Sequence, residues 1–240
     1  MEWYEVGRSV RGQVIRGARM GDGPETTLFL GLHHGNEQAG QPLLERLMDL
    51  LVEEPGRLAG RAAVFVPVLN PDGRDDNTRQ NARGVDLNRN LPTHDWGAGP
   101  AEGRYNPGAA PASEPETQAL VRLVESFQPV KIISVHAPLL CVNWNGASRS
   151  SVAALVSPAP DRYVLDGRVI VCAEALGEAM ASLNGYPLEA EIGYPCPGSF
   201  GTWAGRERNI ATMTLELGRN VGIIQSWNEN RDALLAALEF

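Results

Sequence analysis

The sequence predicts an α/β fold, a mixed, mostly parallel sheet with helices on both faces, in one domain over residues 1–240. Three observations carry that expectation. Short apolar runs bounded by turn residues alternate with segments whose apolar residues recur at helical spacing. With 240 residues, 43% hydrophobic and 21% charged, the chain is long enough for one substantial core and has an ordinary globular composition. No linker-like stretch, internal repeat or low-complexity segment divides it.

Thr26 to Leu32 (TTLFLGL) is apolar and flanked by glycine-rich turns, which suits a buried strand. From Glu37 to Glu53, Leu43, Leu44, Leu47, Met48, Leu50 and Leu51 recur at helical spacing, with Glu45 and Asp49 between them, so a helix follows. Ala62 to Leu69 reads as a second strand, ended by a turn at Asn70-Pro71-Asp72-Gly73. About forty residues without clear periodicity come next, and ordered loops of that length usually carry function. Ser113-Glu114-Pro115-Glu116 has the pattern of a capping box and opens a helix expected to reach Phe127. Lys131 to Val135 is another strand, ending at His136. Val152 to Val156 has the composition of a short strand, and Gly167 to Leu183 carries a helical pattern. Ile210 to Leu217 alternates as a strand, and a closing helix runs from Gly222 to the C-terminus. Ligands of such sheets gather beyond the carboxyl ends of the strands, and His34, Glu37 and His136 all follow expected strands.

A formal net charge of −8 argues against nucleic-acid binding, which needs a basic surface. The start of the chain, MEWYEVGRSVRG, is too charged for a secretory signal and no run has membrane-spanning length, so a cytoplasmic location away from membranes is expected. Cys141, Cys172 and Cys196 are odd in number and lack CxxC spacing, which suggests neither a disulfide framework nor a cysteine metal site. Lys131 is the only lysine among 21 basic residues, which removes a P-loop lysine and leaves arginine to handle anions. Arg74, Arg79, Arg83, Arg89 and Arg104 fall in one Gly/Asn-rich stretch, read either as a solvated loop or as the place where an acidic protein meets an anionic substrate.

His34-Gly35-Asn36-Glu37 is HxxE, a spacing that lets an imidazole and a carboxylate reach one ion from a tight turn. Chance also produces that spacing. Gln38 follows, so the HxxEH pattern is absent, as is HExxH. A distant third ligand is then required, and His136 at a strand end is a candidate, although a lone histidine there is more often a hydrogen-bonded core residue.

HGNE at 34–37, NPDG at 70–73, RxNxxGVDLNRN from Arg79 to Asn90, SEPET at 113–117, SVHAP at 134–138 and TLEL at 214–217 together resemble the zinc carboxypeptidase family, in the family's order. Within it the chain is most similar to the murein peptide amidases, through the SEPETQAL helix start and the loop from Tyr194 to Trp203. The resemblance implies one Zn(2+) per chain held by His34, Glu37 and His136, with Glu216 as catalytic carboxylate. It also implies Arg79 facing the developing oxyanion, and Asn88, Arg89 and Tyr194 on the substrate's terminal carboxylate. These roles suit the residue types. A carboxylate at the end of an apolar strand has a raised pKa and can shuttle a proton, and a guanidinium fork matches a carboxylate. The expected substrate is a small anionic peptide, a murein tripeptide cleaved between the γ-carboxyl of D-glutamate and meso-diaminopimelate. The segment between Cys141 and Gly167 has no counterpart that can be matched to the amidases, and His33 has no implied role.

Other readings are a general metallocarboxypeptidase acting on α-linked peptides, an aspartoacylase-like deacylase, and an inactive zinc-dependent peptide binder. Intact NPDG and GVDLNRN favour a carboxypeptidase over the deacylase, and retention of Glu216 and Arg79 favours an enzyme over a binder. Pro197-Gly198-Ser199-Phe200-Gly201 lacks the first glycine of a serine nucleophile elbow, and Cys196 between two prolines lacks an activating partner.

Overall fold

The computed structural model describes residues 1–240. Its strands are β1 (Glu2–Arg8), β2 (Val14–Met20), β3 (Thr26–Leu30), β4 (Ala62–Val66), β5 (Lys131–His136), β6 (Leu139–Asn145), β7 (Arg162–Leu165), β8 (Arg168–Val171), β9 (Leu188–Glu189) and β10 (Ala211–Gly218). Its helices are α1 (Gly40–Glu53), α2 (Pro71–Asp76), α3 (Pro115–Phe127), α4 (Arg149–Ala153), α5 (Ala173–Asn184) and α6 (Ile223–Glu239). Eight strands form one sheet in the order β1-β2-β4-β3-β5-β10-β6-β9, and β7 pairs with β8 separately. The central pairs β4/β3, β3/β5 and β5/β10 are parallel, whereas β1/β2, β2/β4 and β10/β6 are antiparallel.

Every residue of β3, β4 and β5 is buried, which is what covering both faces of a parallel centre demands and why these strands are continuously apolar. On one face α1, α5 and α6 pack Leu43, Leu44, Leu47, Leu176, Met180, Leu234 and Leu238 on Phe29, Phe65 and Ile133. The rings of Phe29 and Phe65 stack there at 4.9 Å. On the other face Leu120, Leu123 and Val124 of α3 meet Leu28, Val64 and Ile132, together with Phe200 and Trp203. No helix is long and apolar enough to cross a membrane.

Several expectations about local structure need correction. Asn70-Pro71-Asp72-Gly73 begins α2 rather than a simple turn, because the Asn70 side chain accepts from the Gly73 N–H at 2.9 Å and caps it. The SEPE segment is not a capping box. Glu114 occupies the N-cap position without a side-chain cap bond, Ser113 Oγ bonds to Glu114 instead, and Glu116 turns away to the Val10 N–H and Asn81. Val152 to Val156 is not a strand, since Ser148 caps α4 there with a true capping box. The helical pattern from Gly167 divides into β8 and α5, where burial of Ile170 and Val171 follows strand pairing with β7. The antiparallel β1–β2 pair has no counterpart in the expectations from the sequence.

Candidate metal centre and catalytic cavity

His34 and Glu37 lie on the turn between β3 and α1, and His136 is the last residue of β5, its neighbour in the sheet. The turn is held by a second motif. A Cβ on Gly35 would stand 1.9 Å from the Gly73 carbonyl carbon, so HGNE and NPDG press backbone to backbone and neither glycine tolerates a side chain. Asn70 adds a hydrogen bond from its amide to the His33 carbonyl at 3.4 Å.

The three side chains bring their ligand atoms within 4.8 Å of one another, an arrangement that can hold a metal ion. The Nδ1 atoms of His34 and His136 are 3.2 Å apart, and the Glu37 oxygens lie 2.7 Å and 2.9 Å from them. A nitrogen pair about 3.3 Å apart is the edge of a tetrahedron with zinc–nitrogen arms of roughly 2.0–2.1 Å, so the donor set fits zinc in both type and spacing. Burial opposes ionisation of Glu37, but the two imidazoles hold its carboxyl well below the usual range, so it offers a negative charge to a cation.

Behind the ligands stands Asp86, which is fully buried. One of its oxygens lies 3.1 Å from His34 Nε2, and the other accepts from Arg79 at 2.8 Å and 2.9 Å. Asp86 therefore fixes the ring orientation of His34 and the position of Arg79 at once. Burial works against its charge, but His34 and Arg79 keep the carboxyl ionised. The sequence carried Asp86 inside GVDLNRN, where nothing local distinguishes it. His136 Nε2 has Ser134 Oγ at 3.1 Å, and the His33 ring stacks on His136 with centroids 5.5 Å apart. His33 is thus buried behind His136 and packs on its ring.

Glu216 stands across from His136 on β10 and is buried, with the Leu139 N–H 3.3 Å from its Oε2. Burial, with the Glu37 charge nearby, pushes its pKa up. Arg79 directs Nη1 to within 3.3 Å of His34 Nδ1 and 3.6 Å of Glu37 Oε1. Asn88 Oδ1 accepts from the Phe200 N–H at 2.8 Å, and Asn88 lines the cavity. Arg89 is 5% exposed, and its hydrogen-bond partners, the Asn88 carbonyl and Cys196 Sγ, are both neutral. A buried guanidinium without a carboxylate on it favours an anion. Tyr194 is half-exposed, with its ring 6.3 Å from that of Tyr105.

His34, Glu37, His136, Glu216, Arg79, Asn88, Arg89 and Tyr194 line one cavity of about 480 Å³, with Asp86, Ser134 and His33 behind it. Of the five clustered arginines, Arg79, Arg89 and Arg104 reach it, whereas Arg74 pairs with Asp75 and Arg83 with Glu114. Arg206 and Arg219 join them from distant parts of the chain, and no sequence pattern marked either. Tyr105 gathers the guanidinium carbons of Arg79, Arg89 and Arg104 within 5.8 Å of its ring centre. From the segment between Cys141 and Gly167 only Asn143 and Asn145 line the cavity, while α4 and the β7–β8 hairpin pack elsewhere around Val152, Ile170 and Cys172.

A family model described as zinc carboxypeptidase matches residues 1–233. Murein peptide amidase A of Escherichia coli K12 is 32% identical over 203 residues, covering 80% of this chain and 71% of that protein. The carboxypeptidase N catalytic chain of Rattus norvegicus is 26% identical, covering 98% of this chain and 63% of that one. Among solved structures, the murein-tripeptide amidase of Escherichia coli O157 superposes with a TM-score of 0.72 at 26% identity, covering 100% of this chain and 92% of that one. Carboxypeptidase A of Helicoverpa armigera shares the fold, with a TM-score of 0.73 at 18% identity, 99% coverage of this chain and 68% of its own.

Proposed function

The chain belongs to the zinc carboxypeptidase family and is a zinc metallo-hydrolase, and from that premise we propose that it is a murein peptide amidase. Its substrate on this reading is a short peptide in which meso-diaminopimelate is joined to the γ-carboxyl of D-glutamate. One observation carries the choice: a chain of net charge −8 lines its catalytic cavity with Arg79, Arg89, Arg104, Arg206 and Arg219. Such a peptide carries several carboxylates for them to meet, and the likeness to murein peptide amidase A extends over most of the chain.

Zinc held by His34, Glu37 and His136 supplies Lewis-acid activation of water near neutral pH. Glu216, kept basic by burial, takes the proton from the attacking water and delivers it to the amide nitrogen as the carbon–nitrogen bond breaks. Arg79, anchored on Asp86, faces the oxygen that becomes negative when water adds to the carbonyl. Arg89 and Asn88 take the α-carboxylate of the leaving residue, and Tyr194, on a loop rich in Pro and Gly that lines the same cavity, contacts it as well. Products are the peptide ending in D-glutamate and free meso-diaminopimelate, and the reading places the chain among wall fragments returned to the cytoplasm.

The test is kcat/KM for L-Ala-γ-D-Glu-meso-diaminopimelate against α-linked peptides ending in Phe, Leu, Lys or Glu. A strong preference for the γ-linked peptide is expected. Preference for any α-linked peptide makes the chain a general metallocarboxypeptidase instead.

A further inference from the structure

Part of the cavity wall is polar but uncharged: Asn143 and Asn145 from β6, Thr202, and Thr214 from β10. Two charged residues lining the same cavity, Arg206 and Glu191, are paired at 2.8 Å. We propose that Arg206 and Glu191 form a recognition site for a zwitterionic side-chain terminus on the leaving residue, Arg206 taking its carboxylate and Glu191 its ammonium. The inference rests on the reading of this cavity as the place where the leaving residue sits.

Arg206 is positioned by a relay of amides. The Glu189 carbonyl accepts from Asn143 Nδ2 at 2.9 Å, Asn143 Oδ1 accepts from Asn145 Nδ2 at 2.9 Å, and Asn145 Oδ1 accepts from Arg206 Nε at 3.2 Å. Both asparagines are buried. The π-helical turn Gly201–Arg206 is pressed onto this relay, since a Cβ on Gly201 would stand 2.8 Å from Asn145 Nδ2 and one on Gly205 would stand 2.6 Å from Asn145 Cβ. An exposed ion pair contributes little to stability by itself, so folding has no need of so much scaffolding behind one half-exposed arginine. Recognition has that need, because a planar fork selects a carboxylate only when its orientation is held.

Both partners keep capacity for a ligand. Arg206 commits Nε to Asn145 and one Nη2 donor to Glu191, which leaves its remaining N–H groups, and Glu191 keeps a second oxygen. A carboxylate and an ammonium on one carbon meet such a pair with alternating charges. The distal centre of meso-diaminopimelate is that group, whereas lysine presents only the ammonium and a dicarboxylic residue only the carboxylate.

The experiment compares four leaving residues on one γ-D-glutamyl acyl group and on one α-linked acyl group: meso-diaminopimelate, L-lysine, L-2-aminopimelate and L-norleucine. Wild type is expected to favour meso-diaminopimelate. Arg206→Gln should lose about tenfold or more in kcat/KM for the two carboxylate-bearing residues and nothing for lysine or norleucine. Glu191→Gln should lose on the two ammonium-bearing residues alone. Failure of wild type to separate meso-diaminopimelate from norleucine on either acyl series, or an equal loss on all four substrates in the variants, would overturn the proposal. If the leaving-residue ranking holds but only α-linked peptides are cleaved, the murein reading falls and this site stands.

Discussion

Glu216 and His136 are direct partners on the adjacent parallel strands β10 and β5, so a strand register places a buried carboxylate beside a metal ligand. Directly paired residues of neighbouring strands share one face of the sheet. Glu216→Gln keeps that register and the side-chain volume but cannot accept a proton. The expected outcome is a fall of about a hundredfold or more in kcat with full zinc content, checked by steady-state kinetics beside metal analysis.

The same burial sets the pH dependence. Glu216 has its pKa raised by desolvation and by Glu37, and the base must be ionised to work. Activity is therefore expected to be present above that raised value and lost as pH falls through it, at a pH above the ordinary glutamate range. A pH profile of kcat/KM whose acid limb lies at or below that of an exposed glutamate would remove Glu216 from the base role.

Removing one ligand opens a second position on the ion. His136→Ala should lose most of its tightly bound zinc, read by mass spectrometry or a chelator competition. Zinc retained at wild-type affinity would show that the ion is held elsewhere.

Asp86 is expected to matter as much as a ligand while touching no metal. Asp86→Asn preserves shape, but weakens the hold on both His34 Nε2 and Arg79. Zinc affinity should drop by about 10–100-fold and kcat should fall with it even at saturating zinc. Full recovery of kcat on adding zinc would confine Asp86 to the metal and detach it from Arg79.

Lys131 makes a prediction about stability. It is buried at the start of β5, with Nζ donating to the Leu238 carbonyl at 2.9 Å, and burial, with Arg61 and Arg162 nearby, lowers its pKa to about 7. Between that value and the ordinary lysine pKa the unfolded chain binds the extra proton, so this group's contribution to stability rises with pH across the window. Below about 7 its cost is present in full. Lys131→Met should flatten the rise, seen as the difference between wild-type and variant denaturant midpoints from pH 7 to pH 10. Parallel midpoints over that range would contradict the lowered pKa.

What the sequence determined by itself is the chemistry and the class of fold. Continuous apolar runs such as TTLFL and AAVFV state burial on both faces, and helical periodicity from Leu43 to Leu51 states the covering layer. The donor types of HGNE and the motifs in order pointed to zinc and to the convergence of His34, Glu37 and His136, because those motifs are short and their constraints local. The tertiary structure alone decided which partners surround them. Asp86 looks like any aspartate until pairing of β3, β5 and their loops brings it between His34 and Arg79, 52 and 7 positions away. Arg74 and Arg206 are the same residue type, yet only Arg206 faces the cavity, because Gly201 and Gly205 let its turn sit against Asn145, 61 positions earlier. Likewise the helical pattern from Gly167 held a hairpin strand, since pairing of β8 with β7 outweighed local periodicity. Periodicity and short motifs report what neighbouring residues do, whereas long-range register settles which side chains share a cavity.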